Sequence, residues 1–215
     1  MRRLLRGGMV AALATAAVVF GLSGSSKASE AGSSTSAELS AMPYHLRLHH
    51  LHTGEDIDVV YRVGDTYLPD GLERLNYFLR DHRTQNESSY DPKEFDLLHA
   101  LMTRLGRPNG VIDIVCGYRT PWSNKLLRRG TASSGVAEHS QHMLAKAIDI
   151  RVPGVGTAKL RDAALSLHGG GVGYYPVSQF VHVDVGPVRE WAFGRVNART
   201  ARAHTRSRSG SVAGE

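Results

Sequence analysis

The sequence has one cysteine, Cys116, so no disulfide can form within the chain. The folded chain must therefore be held by its core without a covalent cross-link of its own. Cys116 lies in the apolar run VIDIVCG and reads as a small buried side chain rather than a nucleophile. Long hydrophobic runs are also missing. The longest, MVAALATAAVVFGL from Met9 to Leu22, is too short to span a bilayer comfortably. No internal repeat is present, and no basic patch with interleaved aromatics appears in the body, which argues against nucleic-acid recognition. The glycines from Gly169 to Gly173 lack the strand–loop–helix setting of a phosphate-binding loop.

What is present divides the 215 residues into four segments. Residues 1–28 read as an export signal, with Arg2, Arg3 and Arg6 before the apolar run and small residues around Ser26 and Ala28 for cleavage. Arg2-Arg3 followed by Leu5 is compatible with twin-arginine export. Residues 29–43 form a Ser-rich linker. Residues 44–193 form one folded domain, of a size that can bury a real core. Residues 194–215 are rich in Arg, Ser and Gly, carry part of the net charge of +6, and read as a disordered basic tail. The mature protein is expected to be monomeric and not to span a membrane.

Within the domain, HLRLHHLH and DIDVVYRV alternate on either side of Thr53-Gly54 and predict an opening hairpin. Asp70 is placed to cap a helix through LERLNYFLRDHR. Asp91-Pro92 marks the start of a second helix that stops at Gly106. VIDIVC is a buried strand, and Thr120-Pro121 opens a third helix. KAIDIRV is another strand, and Thr157 is placed to cap a fourth helix. GVGYYPVSQFVHVDVG reads as two strands around Pro176, with Trp191 beyond them as a core lid. Hairpins mixed with separate helices predict an α+β fold.

Chemistry concentrates in two of these strands. In KAIDIRV, Ile148, Ile150 and Val152 take one face and leave Asp149 on the other. In VHVDV, burial of the valines projects His182 and Asp184 together. If the strands are neighbours, Asp149 and His182 converge, and His142, in the loop leading in, folds over the same point. Small Ala145 and Ala147 let that loop lie close. Two imidazoles and one carboxylate with a fourth position open are the ligand set of a catalytic zinc site. Such an ion activates water and polarises a carbonyl, the chemistry of amide hydrolysis. On spacing alone, hydrogen-bonded structural histidines fit as well. The cluster His45, His49, His50 and His52 is divided by strand alternation between two faces, which speaks against a second metal site.

The patterns SxHxxxxAxD and FVHVDVGPVREW, with GYRT and GGVGYYP, resemble the LAS zinc metallopeptidases. More narrowly they resemble the exported murein endopeptidase K group. The likeness runs from about Arg47 to Trp191. It implies a fold like that of hedgehog and D-Ala-D-Ala peptidases, a small antiparallel sheet with flanking helices. It implies that His142, Asp149 and His182 bind Zn2+, that the substrate is a peptidoglycan peptide, and that Arg119 faces it. Tyr118 and Asn124 are expected to line the same site. The sequence departs from the family at Ala145, where glycine is usual, and at Cys116, where serine is frequent. Many relatives carry an acid or a histidine just before the last zinc histidine, but here Gln179 and Phe180 stand there. Asp184 then remains as general base or as the group that orients a ligand, with His139 as a further candidate. The enzymatic alternative is a carboxypeptidase that trims terminal D-Ala. A wall-binding protein without catalysis is the alternative outside enzymes.

Overall fold

A computed structural model describes residues 42–129 and 136–194. The export signal, nearly all of the linker and the basic tail lie outside these residues. The described residues form one eight-stranded sheet and four helices. The strands are β1 (Pro43–His50), β2 (Asp56–Val63), β3 (Thr66–Tyr67), β4 (Val111–Cys116), β5 (Ala147–Arg151), β6 (Gly171–Tyr175), β7 (Phe180–Asp184) and β8 (Arg189–Ala192). Their order across the sheet is β3-β2-β1-β4-β5-β7-β6-β8. The helices are α1 (Pro69–Phe78), α2 (Pro92–Arg104), α3 (Pro121–Arg129) and α4 (Thr157–Leu165).

The sheet is larger than expected and not wholly antiparallel. β1 and β4 pair in parallel, because α1 and α2 return the chain to the same end before β4 begins. β8 pairs in parallel with β6. This last strand was not expected at all: REWA is half polar and lies at the sheet edge, where burial imposes little pattern. Trp191 is therefore an edge-strand residue rather than a lid on the core.

The apolar face of the sheet is covered by helices. Ile112 and Ile114 of β4, Ile148 and Ile150 of β5, and Val181 and Val183 of β7 are completely buried. They join Phe95, Leu98 and Leu101 from α2 and Leu160 from α4 in one cluster. Tyr61 meets Phe95 edge to face at 5.9 Å. Among the described residues no helix is long and apolar enough to cross a membrane.

Helix boundaries show which local signals ruled. Asp91 caps α2 as expected, its carboxylate accepting the Lys93 N–H at 3.1 Å. Asp91→Ala should lower stability by about 1 kcal/mol, the usual worth of such a cap, read from the midpoint of urea unfolding. Asp70 does not cap α1. Proline needs no N–H partner and takes the first helical position, so Leu68 becomes the cap and Asp70 falls inside the first turn. Thr157 likewise lies inside α4, capped by Gly156. α1 ends at Phe78 rather than running on to Arg83. The Leu79 carbonyl accepts from the Tyr118 N–H at 2.8 Å, and the Asp81 carboxylate turns to meet Thr120. Those contacts draw the chain away from the helix axis.

Candidate metal centre

The second face of the sheet carries a polar row. Strand register places Cys116 opposite Asp149, Asp149 opposite His182, His182 opposite Gly173, and Gly173 opposite Trp191. β5 and β7 are thus direct neighbours, as the convergence of Asp149 and His182 required. His142 reaches the row from the short 3-10 turn Gln141–Leu144, where Ser140 caps the turn by accepting the His142 N–H. Ala145 ends the turn in the left-handed region at φ 50° and ψ 46° and is completely buried. This explains why glycine suits the position. Alanine is among the smallest residues that can bear the same backbone.

Three donor atoms meet at one point. His142 Nε2 lies 3.2 Å from Asp149 Oδ1 and 3.0 Å from His182 Nδ1, and His182 Nδ1 lies 2.9 Å from Asp149 Oδ1. Zinc bonds of ~2.0–2.1 Å at tetrahedral angles separate neighbouring ligands by about 3.3 Å, close to these distances. The opposite ring nitrogens are both engaged. His142 Nδ1 donates to the Gly117 carbonyl at 2.8 Å, and His182 Nε2 donates to Asp184 Oδ2 at 2.9 Å. Those bonds leave a lone pair on each nitrogen that faces the centre, the arrangement found behind metal-bound histidines. The residues fit a zinc ion.

The electrostatics of His142 and Asp149 point the same way. At His182 burial works against the charge, but the Asp149 and Asp184 carboxylates outweigh it and raise the ring's pKa, so a metal there would displace a proton. Burial, with Arg119 nearby, lowers the His142 pKa to about 4, so the ring is neutral and able to ligate. Burial works against the charge of Asp149, but the two imidazoles outweigh it and hold the carboxyl well below its usual range. Cys116 also has its sulfur within 4.8 Å of the His142 and Asp149 donor atoms. Burial pushes that thiol up to about 12, so it remains protonated, and His182 is the better third donor.

The other expected site residues divide. Arg119 lines the cleft over the centre, with Nη2 3.8 Å from Asp149 Oδ2 and its backbone N–H on the His142 carbonyl. Asn124 is buried behind it. Its Oδ1 accepts from Arg119 Nη1 at 3.2 Å, and its amide donates to the Ala137 carbonyl at 3.0 Å. Tyr118 packs against the core. Neither Tyr118 nor Asn124 lines the cleft. Asp184 is completely buried on the side of His182 away from the centre. It also accepts from the Gly171 and Gly186 N–H groups and from both terminal nitrogens of Arg189, the shortest bond being 2.7 Å.

Three supporting residues escaped the sequence reading. Gly117 supplies the carbonyl that fixes His142, and a Cβ there would stand 2.5 Å from the Leu79 carbonyl oxygen. Gly173 leaves room for Trp191, whose ring would lie 2.6 Å from a Cβ. That ring sits 5.1 Å from the His182 ring, and its N–H donates to the Tyr175 hydroxyl at 3.0 Å. Arg189 holds Asp184. The basic residue in VREW, five positions after an acid on a metal-facing strand, was the available signal.

A family model described as "Peptidoglycan L,D-endopeptidase MepK" matches residues 38–191. The chain belongs to this peptidase family. The "Probable peptidoglycan L,D-endopeptidase MepK" of Haemophilus influenzae is 42% identical over 149 residues, covering 69% of this chain and 79% of that protein. The "Peptidoglycan L,D-endopeptidase MepK" of Escherichia coli K12 is 43% identical over 149 residues, covering 69% of this chain and 80% of the relative. No solved structure matches the chain. The matched span includes every element of the centre, from β1 to Trp191 of β8.

Proposed function

We propose that the protein is an exported, zinc-dependent peptidoglycan endopeptidase that hydrolyses peptide cross-links, in particular those joining two diaminopimelate residues. The observation that carries this is the meeting of His142 Nε2, Asp149 Oδ1 and His182 Nδ1 at coordination distances. Family membership supplies the substrate class. His142, Asp149 and His182 would hold the zinc ion, which when bound would supply Lewis acidity and lower the pKa of water toward neutrality. The fold proposed is that of the hedgehog-like and D-Ala-D-Ala zinc peptidases, here with a wider sheet.

The chain's own groups do the rest. Arg119, nearly buried and with no partner for its Nε, offers hydrogen bonds to the oxygen on which charge develops as the amide is attacked. Asn124 holds that guanidinium in place. Asp184 orients His182 and has no role as base, because its oxygens are taken by His182, Arg189 and two backbone N–H groups. His139, three residues before His142, lines the cleft and is the remaining candidate of the two to accept the proton from water.

The cleft supports an endopeptidase over a carboxypeptidase. Its volume is about 840 Å³, and besides the metal ligands its lining includes His52 and Arg83 as well as Trp191 and Phe193. A terminal carboxylate requires a closed end, whereas a cross-link needs space on both sides of the cut bond.

Digestion of purified cross-linked muropeptides by the full chain, with and without chelator, tests this reading. Dimers should become monomers, chelation should stop the reaction, and added zinc should restore it. Release of terminal D-Ala alone would establish the carboxypeptidase instead. Zinc-loaded protein that leaves every muropeptide intact would make it a binding protein.

A further inference from the structure

Four arginines line the cleft: Arg83, Arg119, Arg128 and Arg189. Three are committed. Arg119 bonds to Asn124 beside Asp149, Arg128 pairs with Glu138 at 3.4 Å, and Arg189 pairs with Asp184 at 2.7 Å. Arg83 differs. It is exposed, and among the described residues its guanidinium has no hydrogen bond or ion pair. Its backbone is nonetheless held firmly. The Arg83 N–H donates to Asp81 Oδ1 at 3.0 Å, the Gln85 N–H to the Asp81 carbonyl at 2.7 Å, and the Asp81 N–H to the Asn86 carbonyl at 2.9 Å. Asp81 Oδ2 in turn accepts both the N–H and the hydroxyl of Thr120 at 2.8 Å. One completely buried carboxylate therefore ties the turn bearing Arg83 to the residue that follows Arg119.

Among the described residues that line the cleft the one carboxylate is Asp149, and its ion pairs are with Arg119, His142 and His182 rather than Arg83. Its neighbour His82 stacks on His52 with ring centres 4.1 Å apart and planes 12° apart. Burial first, and then the Arg83 charge, lowers His82 to about 4, so at neutral pH the His82 ring is uncharged. The Arg83 charge also reaches Cys116, the first member of the polar row. The arm is thus a guanidinium on a fixed turn with no partner among the described residues, beside the His82–His52 stack and in the wall of the cleft that holds the centre.

We propose that Arg83 is a carboxylate-binding subsite, gripping a free carboxylate of the substrate peptide away from the bond that is cut. A guanidinium presents two parallel donors that match a carboxylate, and holding one remote from the reacting bond improves binding and register. This deepens the peptidoglycan reading above and rests on it, since stem peptides carry free carboxylates beyond those in amide linkage. It also gives the cleft a division of labour. Arg119 serves the reacting carbonyl, and Arg83 selects the peptide.

The experiment compares full-length zinc-loaded wild type with Arg83→Gln and Arg83→Lys on cross-linked muropeptide dimers, native or with their free carboxylates converted to primary amides. For wild type, amidation should reduce kcat/KM roughly 10- to 100-fold, mainly through KM. Arg83→Gln should lose about the same factor on native dimer and discriminate amidated dimer at least ~10-fold less. Arg83→Lys, with the charge but not the fork, should fall between them. Zinc content and Tm should match wild type, because the substituted side chain bonds to nothing among the described residues. Unaltered discrimination by Arg83→Gln, or a fall in kcat at constant KM, would overturn the proposal. Failure of wild type to cleave native dimer would instead overturn the function on which it rests.

Discussion

Replacing His142 by alanine is expected to reduce turnover of cross-linked muropeptides by roughly 10³-fold or more, with zinc falling well below one ion per chain. The reason is geometric. Among the described residues His142 Nε2 is one of three donor atoms that meet at this point, and it is completely buried, so a replacement would have to come from Cys116. Cys116 is the sole alternative sulfur, and its thiol would have to lose a proton from a pKa of about 12. Metal analysis beside a muropeptide assay checks the result. Asp149→Asn is a useful companion, since it preserves shape while removing the charge that the two imidazoles stabilise. Full activity in either variant would show that the three-donor centre is not the seat of the reaction.

Asp184→Asn is the second large effect, and it separates two roles. As the group that orients His182, Asp184 acts through the metal. Its replacement should weaken zinc binding by about 10- to 100-fold, and excess zinc should recover most of the activity. A base would give the reverse, with normal metal content and a loss of kcat that zinc cannot repair. The amide can still accept one bond from Arg189 or from the Gly186 N–H, but it cannot answer five donor contacts with one oxygen. A stability loss of about 2–4 kcal/mol should accompany the metal effect, read from urea unfolding of the metal-free protein. Arg189 is partly exposed and can turn to water, which favours the lower end of that range.

The convergence of Asp149 and His182 was legible because β-strands alternate with period 2. Burying Ile148 and Ile150, and Val181 and Val183, leaves Asp149 and His182 no other side to occupy. The Asp91-Pro92 helix start was legible because cap and proline lie together in sequence. Contacts distant along the chain were not legible. Nothing local to Gly117 says that its carbonyl meets a histidine 25 positions later, or that Asn124 turns inward to hold Arg119 rather than outward to substrate. The side of His182 on which Asp184 sits depends on the ring's rotation. The sequence leaves both roles open for Asp184, and its five contacts are what favours the orienting one. The parallel pairings of β1 with β4 and β6 with β8 depend on crossovers, which hydrophobic periodicity does not encode.

The polar row has one more consequence. Its members come from β4, β5, β7, β6 and β8, each facing its neighbour across a single rung of the sheet. A slip of one residue between β5 and β7 would turn Asp149 into the apolar core and bring Ile148 or Ile150 to the metal side. The centre therefore acts as a checksum on strand pairing. Under the proposed function, a chain that misregisters at this seam would lose its metal ligands, so metal retention would report on the pairing of β5 with β7, and a misfolded copy would be inert rather than an unregulated hydrolase.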